Sequence, residues 1–156
     1  MHFTIHGELK EFNKIYRELN DIYHDMALKT GLSDSAFDIF YAIAVMGNGC
    51  LQRDICRMTF LSKQTIHSSV QKLCKDGYIY LKKGAGRSMH IFLTPAGETL
   101  TAEKILPFIA IEQKSFEDMT PEETRDLLRL YRKYTSRLRE NAELINTEVF
   151  YENPAF

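Results

Sequence analysis

The stretch that decides the fold covers residues 62–79, with the sequence SKQTIHSSVQKLCKDGYI. Ser62 is a good N-cap residue, because its hydroxyl can accept a hydrogen bond from a free N–H of the first helical turn. Gly77 is a typical helix stop. The apolar residues between them recur at helical spacing and form one face: Ile66, Val70 and Leu73. The pattern predicts a helix that begins after Ser62, ends at about Asp76 and packs this face on a core.

The segments on either side complete a recognisable motif. Residues 51–60 are predicted to form a short helix before it. After it come two runs rich in aromatic and β-branched residues, 78–83 and 89–94, which are typical of strands. The loop between them, 84–88, has the sequence GAGRS. A short helix, a tight turn, a longer helix and a hairpin form a winged helix-turn-helix, which places its second helix in the major groove of DNA.

The outer face of the predicted second helix is polar and nearly free of acidic residues. Glutamine can pair with adenine through two hydrogen bonds, and hydroxyl groups can bind bases or phosphates. We predict that four residues read bases: Gln64, Thr65, His67 and Ser68. Further residues are predicted to contact phosphates or to act from the wing: Ser62, Lys63, Lys72, Lys75, Lys83, Arg87 and Ser88.

The charge distribution supports a polyanionic partner. Residues 51–94 contain eight basic and two acidic residues, a net charge of +6, whereas the whole chain carries −1. The remaining residues therefore carry −7. A basic block within an acidic chain indicates that a nucleic acid would bind at that block.

Helices are predicted on both sides of the motif. Residues 8–29 show an amphipathic pattern that Gly31 ends, and residues 34–46 are apolar on nearly every side, as in a central buried helix. A helix over 95–116 should be kinked or divided by Pro107. A last helix begins at a capping box with Thr120 and continues to about residue 144. The aromatic tail, 149–156, is expected to pack on another surface.

The sequence resembles the MarR family of winged-helix regulators. Residues 60–79 resemble the recognition helix of the family and its exit, and Leu-Thr-Pro-Ala-Gly at 93–97 resembles its Leu-Thr-x-x-Gly signature. The capping box at Thr120 lies where the last helix of the family begins. The family often has Arg where this chain has Ser68, and of its wing motif only Arg87 is present.

The resemblance implies a mainly α fold with a small β-hairpin wing, flanked by long dimerisation helices. Residues 1–156 would form one chain domain, with a DNA-binding lobe at 34–94 and a dimerisation region at 1–31 plus 95–156. A homodimer would bind double-stranded DNA at a pseudo-palindromic operator, with half-sites roughly 10 bp apart. It would act as a repressor released by a small aromatic or anionic effector.

An effector would need a cleft beside the dimerisation helices. Four residues are candidates to line it: Tyr16, Tyr23, His24 and Tyr41. Side chains that combine an aromatic body with a polar end suit such a site. The same residue types also occur in ordinary cores and interfaces, so a structural role is an alternative for each of them.

The remaining residues argue against an enzyme. The five histidines have no metal-binding spacing, and no nucleophile elbow, phosphate loop or dinucleotide fingerprint is present. We therefore expect no catalytic residue, no metal and no cofactor. No apolar run is long enough for a membrane span, and no signal peptide is recognisable, so we expect a soluble cytoplasmic protein without a membrane partner.

Two alternatives stay open from the sequence. The first is a redox-sensing regulator that acts through one of its three cysteines, Cys50, Cys56 or Cys74, with Cys50 the leading candidate. The second is a winged-helix adaptor that binds proteins and has no specific DNA site. The polar and basic outer face of the predicted recognition helix counts against the adaptor.

Overall fold

The computed structural model describes residues 6–59, 61–86 and 88–144. These residues fall into two compact units, with the division between Ala110 and Ile111. The first unit contains five α-helices, a π-helical segment, a two-stranded sheet and the first part of a sixth helix. The second contains the rest of that helix and a long seventh one. The predicted fold class, mainly α with a small β-hairpin wing, is confirmed.

Four helices precede the hairpin, and local capping signals set the ends of three of them. They are α1 (Gly7–Thr30), α2 (Asp34–Met46), α3 (Gln52–Met58) and α4 (Lys63–Lys75). Gly31 ends α1 with φ 74°, a left-handed conformation that favours glycine. The Ser33 hydroxyl accepts from the Ala36 N–H at the start of α2, and Ser62 does the same for Thr65 at the start of α4.

The predicted bounds of the third helix, 51–60, are wrong at its start. Leu51 has an extended backbone and forms an antiparallel bridge with His90. Two backbone bonds extend this pairing, from Gly49 N–H to the Ile91 carbonyl and from Ile91 N–H to the Cys50 carbonyl, each 2.9 Å. Residues 48–51, which we call the bridging segment, thus lie along the wing. The helix ends at Met58, and residue 60 lies outside the described residues.

The wing is an antiparallel pair of β1 (Ile79–Lys83) and β2 (Met89–Leu93), each slightly shorter than predicted. Tyr78 does not join β1, because its N–H donates to the Leu73 carbonyl at the end of α4. Thr94 does not join β2, because its hydroxyl caps the next helix by accepting from Gly97 N–H.

The predicted helix 95–116 is divided, as the presence of Pro107 led us to expect. It consists of α5 (Pro95–Leu100), a π-helical segment (Thr101–Ile105) and α6 (Leu106–Glu117). The Leu106 N–H donates to the Thr101 carbonyl five residues earlier, which is the π-helical pattern. Pro107 has no N–H to continue an α-helical ladder, so the change in pattern lies just ahead of it.

The last helix is α7 (Pro121–Glu143). Its predicted capping box is confirmed, because Thr120 Oγ1 accepts from Glu123 N–H while the Glu123 carboxylate accepts from Thr120 N–H. The two bonds satisfy N–H groups that the first helical turn leaves free. The aromatic tail, 149–156, lies outside the described residues.

The hydrophobic core is centred on α2. This helix contacts α1, α3, α4 and the π-helical segment. Phe37, Ile39, Phe40 and Ile43 of α2 are buried. By contrast, α1 and α7 carry large apolar side chains that are more than a third exposed, including Ile15, Leu19 and Ile22 on α1 and Leu130, Tyr131 and Leu138 on α7. Within the described ranges, none of the helices is both long and apolar enough to span a membrane.

Candidate nucleic-acid interface

The inner face of α4 anchors this helix in the first unit. Ile66 and Val70 are completely buried, and Leu73 is nearly so, as the spacing predicts. The hydroxyl of Ser69 donates to that of Ser35 on α2 over 2.8 Å. Apolar burial and one interhelical hydrogen bond therefore fix which side of α4 points outward.

The outer face of α4 is exposed and polar. Three of the four predicted base readers are exposed: Gln64, His67 and Ser68. A side chain must be accessible to contact a base. Gln71 is exposed on the same face, since Gln64, Ser68 and Gln71 follow helical spacing. Gln71 is not among the predicted base readers, although the same helical spacing marks its position. Its amide has the same hydrogen-bonding groups as that of Gln64.

The hydroxyls near the start of α4 already have intramolecular partners. Ser62 Oγ and Thr65 Oγ1 lie 2.8 Å apart, and Ser62 Oγ also accepts from Thr65 N–H. Thr65 is half-buried, so it is the least accessible of the predicted base readers. The Ser68 hydroxyl donates to the Thr65 carbonyl over 2.9 Å, and its oxygen remains able to accept from a base or a backbone donor.

The lysines of the basic block are exposed. Within residues 6–59, 61–86 and 88–144, none of the predicted phosphate-binding lysines forms an ion pair: Lys63, Lys72, Lys75 and Lys83. On α3, Asp54 lies 3.8 Å from Arg53 and 3.6 Å from Arg57. Asp54, one of the two acidic residues of the block, is thus partnered within α3, and five of the six net positive charges of the block lie outside this helix.

The wing loop is held by short backbone contacts. Gly84 N–H donates to the Ser88 carbonyl over 2.9 Å, and the Ser88 hydroxyl donates to the Ala85 carbonyl over 2.7 Å. Arg87 lies outside the described residues. An open cleft of about 450 Å³ separates the loop from the start of α3, and it is lined by Leu51, Gln52, Arg53, Ala85, Ser88 and Met89.

The candidate effector residues lie on α1 and α2. Tyr16 and Tyr23 are exposed on α1, two helical turns apart. His24 Nδ1 lies 3.6 Å from a carboxylate oxygen of Asp34. Tyr41 is half-buried on α2, and its ring stacks on Phe37 at 6.1 Å between centroids. Their joint role in a cleft stays a prediction.

Asp38 lies on α2, three residues before Tyr41. Half-burial raises the pKa of the Asp38 carboxyl, and the neighbouring Asp34 carboxylate raises it further. The surroundings of Asp38 thus disfavour the charged form of its carboxyl group.

Cys50 and Cys74 lack the environment that redox sensing requires. A sensor thiol needs a lowered pKa, because the thiolate is the form that reacts. Burial raises the pKa of Cys50, and the nearby Asp54 carboxylate raises it further, while a backbone hydrogen bond opposes them. Burial also raises the pKa of Cys74. Among the described residues, no group of three His, Cys, Asp or Glu side chains is placed to hold a metal ion.

Comparison with known proteins agrees with this architecture. Residues 30–87, which contain α2 to α4 and the first strand of the hairpin, match a MarR family model. No curated protein matches the chain by sequence.

Solved structures share the fold over most of the chain. A MarR family regulator from Neisseria meningitidis has a TM-score of 0.70 and 19% identity, covering 95% of this chain and 100% of its own. PcaV from Streptomyces coelicolor, solved with its natural ligand, has a TM-score of 0.61 and 16% identity, covering 86% and 98%. BpsR from Bordetella bronchiseptica, whose DNA binding is regulated by 6-hydroxynicotinic acid, has a TM-score of 0.59 and 21% identity, covering 80% and 98%.

Proposed function

Since the chain belongs to the MarR family, we propose that it is a transcriptional regulator that binds double-stranded DNA through the outer face of α4. The observation that carries this proposal is the two-sided character of that helix. Its inner face is buried at Ile66 and Val70, while Gln64 and Ser68 are exposed on the other side. A rigidly held helix with exposed amides and hydroxyls, and no acidic residue among 63–75, suits major-groove recognition.

Phosphate contacts supply most of the affinity in this proposal. Four lysines neutralise phosphates: Lys63, Lys72, Lys75 and Lys83. Further contacts to the DNA backbone come from Ser62, Ser88 and Arg87. Gln64, His67, Ser68 and, to a smaller extent, Thr65 contact base edges. Phosphate contacts position the protein on the duplex, and base contacts give the sequence preference.

We further propose that the regulator acts as a homodimer. Ile15, Leu19 and Ile22 follow one face of α1 and are about half exposed, as are Leu130 and Leu138 of α7. Apolar faces of this extent are uncommon on monomers and mark association surfaces. A second copy of the chain covers these faces, and its α4 occupies a second half-site roughly 10 bp away on a pseudo-palindromic operator.

Release from DNA by a small molecule completes the proposal. BpsR and PcaV are similar in fold, and each has a small-molecule ligand. By analogy, a small aromatic or anionic effector binds at Tyr16, Tyr23, His24 and Tyr41 and lowers DNA affinity. Transcription is repressed in its absence.

A pair of charge-matched variants tests the proposed DNA surface. The first combines Lys63→Gln, Lys72→Gln and Lys75→Gln on α4, and the second combines Lys10→Gln, Lys14→Gln and Lys29→Gln on α1. Binding of a labelled duplex of mixed sequence is followed by fluorescence anisotropy at several salt concentrations. Since each lost phosphate contact lowers the salt slope by about 1, the α4 variant should lose about 3 per protomer. The α1 variant should keep the wild-type slope. Equal effects of the two variants would overturn the proposed surface.

A further inference from the structure

His90 joins the wing to the start of the helix-turn-helix. It lies on β2, half-buried, and its Nδ1 is 2.7 Å from the carbonyl oxygen of Gly49 in the bridging segment. A carbonyl oxygen can only accept a hydrogen bond, so Nδ1 carries a hydrogen and donates it. The bond links residues that are 41 positions apart in the chain.

The surroundings of the ring leave no space for another side chain. A Cβ atom at Gly84 would lie 2.5 Å from His90 Nε2 and 2.6 Å from Ser88 Oγ, closer than real Cβ contacts. A Cβ at Gly49 would lie 2.8 Å from the Phe92 ring, and Gly49 also has a φ of 97°. The imidazole therefore fills the space between the wing loop and the bridging segment.

Three further hydrogen bonds join β2 to the bridging segment. Gly49 N–H donates to the Ile91 carbonyl, and Ile91 N–H donates to the Cys50 carbonyl. Leu93 N–H donates to the side-chain carbonyl of Asn48 over 2.8 Å. The bridging segment leads directly into α3 at Gln52. The position of the wing is thus mechanically linked to the first helix of the helix-turn-helix.

We propose that His90 is a positioning residue, which fixes the wing against the bridging segment so that Lys83 and Ser88 are held ready for DNA backbone contacts. The proposal rests on the proposed function for its consequence on DNA, but the linkage itself is a property of the free protein. The imidazole of His90 does not need to touch DNA in this role. Its Nδ1–H donor to Gly49 and its ring volume beside Gly84 are the two properties that matter.

Three substitutions separate the donor from the bulk of the side chain. The amide nitrogen of Asn stands at nearly the position of histidine Nδ1, whereas that of Gln reaches the position of Nε2. His90→Asn should therefore keep the bond to Gly49, while His90→Gln and His90→Leu should lose it. His6→Leu is the matched control, because His6 is exposed, precedes α1 and makes no capping bond with its side chain.

The first measurement is amide hydrogen exchange in the free proteins. The probes are the N–H groups of Gly49 and Ile91, whose backbone bonds join the bridging segment to β2. Exchange should be about 3- to 10-fold faster in the Gln and Leu variants, the effect of one lost hydrogen bond. Exchange should stay near the wild-type rate in the His90→Asn and His6→Leu variants. Unchanged exchange in His90→Leu, or equal acceleration in all three His90 variants, would overturn the proposal.

The second measurement concerns DNA. The salt slope of duplex binding should fall by about 1 per lost wing contact in the Gln and Leu variants, with rescue in the Asn variant. A wild-type slope in all three would show that His90 does not position the wing for DNA. If wild-type protein binds no duplex, the proposed function fails, and the exchange experiment on the free protein still decides whether His90 makes the linkage.

Discussion

The hydroxyl of Ser69 on α4 donates a hydrogen bond of 2.8 Å to the hydroxyl of Ser35 on α2. Both residues are half-buried, and Ser35 Oγ lies 3.5 Å from Ser33 Oγ, the N-cap of α2. This bond is a polar contact between the central core helix and the proposed recognition helix. It sets the rotation of α4 more narrowly than apolar packing alone, because hydrogen bonds are directional.

Replacing Ser69 by alanine should lower the free energy of unfolding by about 1 kcal/mol, the contribution of one partly buried hydrogen bond. Ser68→Ala is the matched control, since the adjacent Ser68 is exposed and its hydroxyl bonds only within its own helix. Urea unfolding of both variants measures the difference. A Ser69→Ala protein as stable as the Ser68→Ala protein would show that the interhelical bond contributes nothing.

Gln64 is exposed on the outer face of α4, where an amide can pair with a base edge. We expect Gln64→Ala to bind the preferred duplex about 1–3 kcal/mol more weakly and to lose discrimination at one base pair in each half-site. Competition binding against single-base variants of the preferred duplex measures this. Lys72→Gln is the comparison, because a lost phosphate contact weakens all sequences alike. An equal loss on every duplex after Gln64→Ala would remove Gln64 from the base readers.

Cys50 should react slowly with thiol reagents at neutral pH. Burial raises its pKa, so less thiolate is present at a given pH than in a free cysteine, and the reaction should reach half its maximal rate at a higher pH than in an unstructured cysteine peptide. The experiment follows alkylation by iodoacetamide against pH in a Cys56→Ser, Cys74→Ser protein, which leaves Cys50 as its cysteine. A midpoint at a lower pH than that of the peptide would restore the redox-sensing alternative.

Leu19 is 46% exposed on the apolar face of α1. If a second copy of the chain covers this face, Leu19→Glu buries an unpaired charge in the dimer and should shift the protein to monomers. Asn20→Glu adds the same charge at the neighbouring exposed residue and should leave the protein dimeric. Sedimentation velocity of wild type and both variants gives the masses. A monomeric wild type, or a dimeric Leu19→Glu protein, would contradict the proposed interface.

Local signals were sufficient to predict most elements of the fold. The N-caps Ser33, Ser62 and Thr120 set the starts of α2, α4 and α7, because each bond joins residues three positions apart. The apolar spacing of Ile66 and Val70 also identified the inner face of α4 correctly. In these elements the hydrogen bonds and the burial pattern depend on neighbouring residues, which a sequence shows directly.

Features that depend on distant contacts could not be predicted in the same way. The bridge between Leu51 and His90, and the hydrogen bond from His90 to Gly49, join segments about 40 residues apart, and no local pattern marks them. Likewise, the apolar spacing on α1 shows that an apolar face exists, but it does not show what covers that face. Among the site residues, spacing predicted the exposure of Gln64 and Ser68 but not that Thr65 is half-buried beside Ser62.

The central claim is that the outer face of α4 reads the sequence of duplex DNA, and selection from a random pool tests it most directly. Purified wild-type protein is mixed with duplexes that contain a long random segment, and the bound fraction is amplified and sequenced over several rounds. The account predicts enrichment of an inverted repeat whose half-sites lie roughly 10 bp apart. It also predicts that Gln64→Ala selects the same repeat with one position relaxed. A pool that stays random after several rounds, although the protein is folded and the salt is low, would contradict sequence-specific binding by α4.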